Sequence, residues 1–210
     1  MARRLVLLIA AAVLGCSSNP ESEPLVQPQT QPLPAATFAG RKVAVFPVTY
    51  MVAQEDLGWN EALGGREDRM LRADSLFEEF LLERVPEVDW VFPEALRRAA
   101  DRAPGMLRDP DRIGAAVLRD PAIEKVPDPL ISNMRNLVGL VGDRMALVPA
   151  GVIFGEPTDT TLDGGMVELT VSVVDVRQKT VVWYGRAYGV ADDPWEALRI
   201  ALDEFLPIRP

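Results

Sequence analysis

The chain has 210 residues, 48% of them apolar, with a formal charge of −9, no histidine and one cysteine. That length holds one well-buried core, and the acidic balance argues against a nucleic-acid partner, which normally meets a basic surface. The missing histidine removes the commonest general base and metal ligand, and a lone cysteine leaves no internal disulfide from which to read the compartment.

The N-terminus supplies that reading. Arg3 and Arg4 precede an apolar run, Leu5 to Leu14, followed by Gly15 and Cys16. Ten residues span about 15 Å as a helix, half of a bilayer core, so the run reads as an export signal and not as a spanning anchor. Val13, Leu14, Gly15 and Cys16 resemble the lipobox of bacterial lipoproteins, with Val13 where leucine is usual. The resemblance implies a diacylglycerol on the Cys16 sulfur, cleavage between Gly15 and Cys16, and a further acyl chain such as palmitate on the new amino group. Two or more chains give stable anchoring, at about 0.8 kcal/mol per buried methylene. An ordinary secretory signal with Cys16 near the cut by chance is the alternative. Loss of Arg3 and Arg4 would leave a mature chain at −11. By analogy with the enteric sorting rule, Ser17 favours the outer membrane, with the inner membrane and the cell surface as alternatives.

From Ser17 to Ala36 the chain carries Pro20, Pro24, Pro28, Pro32 and Pro34 among polar residues. Proline at this density blocks helices and ladders and favours extended polyproline II, giving a tether of up to roughly 60 Å. The expected division is therefore a signal peptide over 1–15, a lipidated tether over 16–39, and a single periplasmic domain over 40–210.

Within that domain, Arg41 to Tyr50 reads as a central strand, apolar on both faces, with Pro47 at its end. Glycines 58, 64 and 65 mark a loop, and Glu67 to Val85 has the spacing of an amphipathic helix that Pro86 stops. Val88 to Phe92 is a short strand, and Pro93 opens a helix through Arg102 whose Arg97, Arg98, Asp101 and Arg102 are expected on a solvated face. Prolines 104, 110, 121, 127 and 129 predict an irregular stretch with at most one short helix near Asp111 to Leu118, before a helix from Leu130 to Val141. Met145 to Phe154 is a strand. Met166 to Asp175 alternates, with Val167, Leu169, Val171 and Val173 inward and Glu168, Thr170 and Ser172 outward. The turn "DVRQKT" and the strand Thr180 to Tyr188 complete an antiparallel hairpin. Asp193, Pro194 and Glu196 then open a helix with an apolar stripe of Trp195, Leu198, Leu202 and Phe205. The fold class that follows is α+β, a mixed layer of helices on a sheet of about five strands with a C-terminal hairpin.

This order, with "VAVFPV", "GVIFGE" and "VELTVSVVDVRQKTVVW", resembles a group of envelope proteins that includes the curli-secretion lipoprotein CsgG, the N-terminal domain of TolB and the outer-membrane activators of penicillin-binding proteins. The turn has Gln178 and Lys179 where Thr-Gly is usual. Segments of alternating residues that would cross an outer membrane are missing between Gly58 and Pro129, against a pore-forming role.

Catalytic constellations fail on inventory: no histidine, and a thiol assigned to lipid. Carboxylate pairs drawn from Glu156 and Asp159, or from Asp192 and Asp193, read more simply as an acidic loop and a helix cap. "GLVG", Gly139 to Gly142, lacks the lysine of a phosphate loop. Trp183 and Tyr184 must face opposite sides of their strand, so that one is core; packing in the core alone would explain either and is the preferred reading, with Trp183, Tyr184 and Tyr188 as the candidate partner surface otherwise. The expectation is a non-catalytic adaptor or assembly factor, held to the outer membrane by its lipid, facing an envelope protein and without cofactor or metal. A ring-forming subunit of a secretion channel, hence a homo-oligomer, and an unrecognised hydrolase are the alternatives.

Overall fold

Three valines and a methionine within Val43–Met51 set the middle of a six-stranded sheet in the computed structural model, which describes residues 32–141, 144–159 and 161–206. Strand β1 (Lys42–Val45) lies between β3 (Asp89–Val91) and β4 (Met145–Gly155), parallel to both. Strand β4 continues antiparallel to β5 (Gly165–Asp175), and β5 to β6 (Thr180–Ala191), giving the order β3-β1-β4-β5-β6. Pro47 ends β1, as its missing N–H requires. The chain then returns as β2 (Met51–Ala53), which pairs with the second half of β4 beyond an irregularity at Pro149 to Gly151. This three-residue strand accounts for the sixth position in the sheet, where the sequence pattern suggested about five.

The two faces carry separate cores. Helix α2 (Arg66–Arg84) buries Phe77, Phe80 and Leu81, and α5 (Pro194–Phe205) buries Trp195, Leu198 and Phe205, against Val43, Val45, Leu169 and Val171. A short helix, α1 (Asn60–Leu63), adds Leu63 to the same side. On the other face α3 (Pro93–Asp101) and α4 (Leu130–Val141) bury Leu96, Ile131, Met134 and Leu137 against Ala44, Phe46, Ala146 and Val148. Between α3 and α4 the proline-broken stretch forms two 3-10 turns, Pro110–Arg112 and Ala116–Arg119.

Three features depart from the sequence reading. Thr170 and Ser172, expected outward, are buried, because the Ala116–Arg119 turn lies over them and Ser172 Oγ donates to the Leu118 carbonyl at 3.1 Å. A small hydroxyl tolerates burial once its proton meets a carbonyl. The packed body begins before residue 40: Leu33, Ala35 and Phe38 lie in the helix-covered core, and the Leu33 N–H donates to the Phe205 carbonyl at 3.0 Å. Arg97 leaves the solvated face expected of it and turns inward, as described below. The signal, Gly15, Cys16 and the tether up to residue 31 lie outside the described residues.

The β5–β6 turn is fixed by Asp175, whose carboxylate accepts the N–H groups of Arg177 and Gln178 at 3.0 and 3.1 Å and pairs with Arg144. Burial opposes its charge, but these donors outweigh burial and hold the carboxyl below its usual range. Lys179 occupies a left-handed conformation, φ +63°.

Candidate functional site

A polar clasp closes the carboxyl ends of β1 and β3. These strands send their following helices, α2 and α3, to opposite faces, so a crevice opens between the two connections, the place where open α/β sheets bind ligands. Its space is about 820 Å³, lined by Val48 and Thr49 after β1, Arg66, Glu67 and Met70 on α2, and Asp109, Asp111 and Arg112. Arg97, one turn into α3, donates from Nη2 to Asp74 on α2 at 2.6 Å and from Nε and Nη2 to both oxygens of Asp111, at 2.8 and 2.7 Å. Asp74 also accepts the Val48 N–H at 2.8 Å. Burial pushes the Asp74 carboxyl up to about 6, against the lowering pull of Val48 N–H and Arg97; the hydrogen bonds that Arg97 donates to Asp111 are the chief cause that raises Arg97. The three groups satisfy one another, and their effect is to tie α2, α3 and the Pro110–Arg112 turn together. Sequence reasoning missed them because Asp74 sits among the buried positions of α2, where a carboxylate breaks the apolar stripe; that break was the available signal.

The second feature is a sheet face left uncovered. The registers place Val52 opposite Ile153, Ile153 opposite Glu168 and Glu168 opposite Tyr188, one row across four strands. The next row carries Gly155, Met166 and Val190. Val52 is exposed and Ile153, Glu168, Tyr188, Met166 and Val190 are half-buried, since α3, α4 and the Ala116–Arg119 turn cover only the other half of this face. Arg186 Nη2 donates to Tyr184 Oη at 3.0 Å, Tyr184 donates to the Arg119 carbonyl at 3.0 Å, and Arg186 Nε stands 3.6 Å from Glu168. Burial lowers the basicity of Arg186, but the hydroxyl of Tyr188 and the charge of Glu168 outweigh it and leave it raised. Arg119 lies 5.0 Å over the Tyr50 ring, running across Gly151, where a side chain would collide with it. Tyrosine, arginine, methionine and β-branched residues in a half-exposed array have the composition of protein interfaces.

Of the residues named from sequence, Tyr184 and Tyr188 meet on this platform. Trp183 is on the other face, its ring edge-on to Phe205 at 5.7 Å. Asp193 caps α5, accepting the N–H groups of Trp195 and Glu196 at 2.9 and 3.1 Å. Asp159 accepts the N–H and hydroxyl of Thr161, which hold it below its usual range, while Asp192 is exposed. Glu156 donates its N–H to Gln54 at the end of β4. Gly139 is inside α4, and Gly142 lies outside the described residues. Among the described residues no three His, Cys, Asp or Glu side chains are grouped to hold a metal, and no helix is long and apolar enough to cross a membrane.

No protein-family model and no curated protein matches this sequence. Among solved structures, the chain is similar to lipoprotein GNA1162 from Neisseria meningitidis, at 13% identity over 71% of this chain and 80% of that one, TM-score 0.35. It is similar to the PelC dodecamer from Paraburkholderia phytofirmans, at 13% identity over 86% and 95%, TM-score 0.41. It is also similar to the LpoB C-terminal domain from Salmonella enterica, at 15% identity over 73% and 84%, TM-score 0.45.

Proposed function

We propose that this protein is a non-catalytic adaptor of the bacterial envelope, anchored to the outer membrane through acylated Cys16 and docking an envelope protein on the platform of Val52, Ile153, Tyr184, Arg186 and Tyr188. The observation that carries the docking half is the uncovered sheet face: a six-stranded sheet with helices over one whole face and only half of the other leaves an aromatic, arginine-bearing array facing outward. The anchoring half rests on the lipobox-like sequence at Val13 to Cys16. The likeness to CsgG, TolB and the penicillin-binding-protein activators belongs to the same reading.

Photo-crosslinking residues placed at Val52 and Tyr188, with Glu78 on the exposed side of α2 as control, test the docking in cells. Adducts with one envelope protein from both platform positions and none from Glu78 are expected. Equal adducts from all three, or none from the platform, defeat the reading. Intact mass of the membrane-extracted protein tests the anchor, with a chain starting at residue 16 and bearing acyl mass expected.

A further inference from the structure

The two edges of the sheet are unlike. At one end β3 is three residues long, and its Asp89 faces Lys42 at 4.0 Å. Short length and charge are the ordinary protections of an edge. At the other end β6 runs for twelve residues, and only its start is covered, where Glu124 to Val126 pairs with Lys179 to Val181. From Trp183 to Ala191 no strand among the described residues lies on its outer side. This free stretch, "WYGRAYGVA", has no proline, no lysine and no acidic residue, and its single charge, Arg186, is turned into the platform beside Glu168. The irregularity between Val173 and Val174 falls at the covered end and does nothing for the free one.

An edge of this length and β propensity, without any of the usual protections, is a template for another strand. The free stretch is also self-complementary. Its midpoint is Ala187, and antiparallel pairing about a two-fold axis there sets Arg186 of each copy opposite Tyr188 of the other. The same register sets Tyr184 opposite Val190 and Gly185 opposite Gly189. No like charges oppose, and arginine meets an aromatic face. Centring the axis on Gly185 would run each strand into the Glu124–Val126 segment that already holds Lys179 to Val181. On the α5 side the paired strands present only Gly185, Ala187 and Gly189 near the axis, residues small enough to sit beneath the closely packed helix.

We infer that two copies of this chain pair through β6, antiparallel about Ala187, joining their sheets edge to edge and doubling the platform across the junction. The inference is independent of the lipid anchor and of any docked protein.

Full-length protein, followed by hydrogen exchange and sedimentation across a range of concentrations, tests it. A species of twice the monomer mass is expected, with alternate amides of Trp183 to Ala191 exchanging at least roughly tenfold more slowly as it forms. Tyr188→Lys, which sets lysine against arginine twice in the pair, is expected to abolish both effects, and Tyr188→Phe to keep them. A monomer at all concentrations, a dimer or ring that leaves these amides unprotected, protection that does not vary with concentration, or pairing indifferent to Tyr188→Lys overturns the inference.

Discussion

Asp74 is a carboxylate under two opposed influences: burial resists its charge, and Val48 N–H and Arg97 favour it, with burial prevailing so that its pKa rises to about 6. A carboxyl raised on folding takes up a proton between its unfolded value, about 3.9, and the folded one, so the native state is favoured at the acid end of that window and loses stability as pH rises through it. The loss is of order 2–3 kcal/mol for a shift of about two units. Asp74→Asn removes the titrating group but keeps one acceptor where Asp74 uses two, Oδ1 for Val48 N–H and Oδ2 for Arg97, and is expected to flatten this part of the profile at a cost in overall stability. Urea denaturation of both proteins at pH 4.5 and pH 7 measures it; parallel profiles would contradict the assignment. Lys179 offers a second test. Its left-handed backbone costs a residue with a side chain about 1–2 kcal/mol, part of which glycine would return in chain entropy. Lys179→Gly should therefore stabilise the hairpin by about 0.5–1 kcal/mol, seen as a raised melting temperature; a lowered one would show that Lys179 makes a compensating contact.

At the scale of elements, α5 packs its backbone directly against β6 because β6 has glycine at the contact. A Cβ on Gly189 would overlap the Ala197 carbonyl and stand 2.8 Å from the Ala201 nitrogen, both backbone atoms that cannot swing away. Gly189→Ala is expected to cost about 3 kcal/mol or more, at the upper end for overpacking, and thermal unfolding would report it; a near-neutral result would mean that α5 can slide. The elements themselves were largely legible. Period and proline placement give α2, α3, α4 and α5 within one or two residues, and the β5–β6 alternation gives the hairpin. What escaped has physical causes. Strand β2 is too short to show a period. Arg97 lies in a run of charges that resembles a solvated face, and only the distant Asp74 and Asp111 draw it inward. The platform was half visible: Tyr184 and Tyr188 share a face by alternation alone, but Val52, Ile153 and Glu168 join them only through register, which no single segment encodes.

For the whole molecule, the proline-rich leader and the folded body overlap. Leu33 and Phe38 are buried with α2 and α5, so the body needs residues that composition assigns to the tether. A fragment of residues 40–210 should be less stable than one of residues 32–210 by about 3–6 kcal/mol, from two large apolar side chains at about 1.5–3 kcal/mol each. Chemical denaturation of the pair decides it, and equal midpoints would show that the leading segment only rests on the surface. The same entry point orients the protein. Leu33 joins on the α2–α5 side of the sheet, and the Val52–Tyr188 row is on the reverse. A pull transmitted through Leu33 is therefore taken up behind the helices, like a cord fixed to the back of a shield, on the side of the sheet away from the tyrosines.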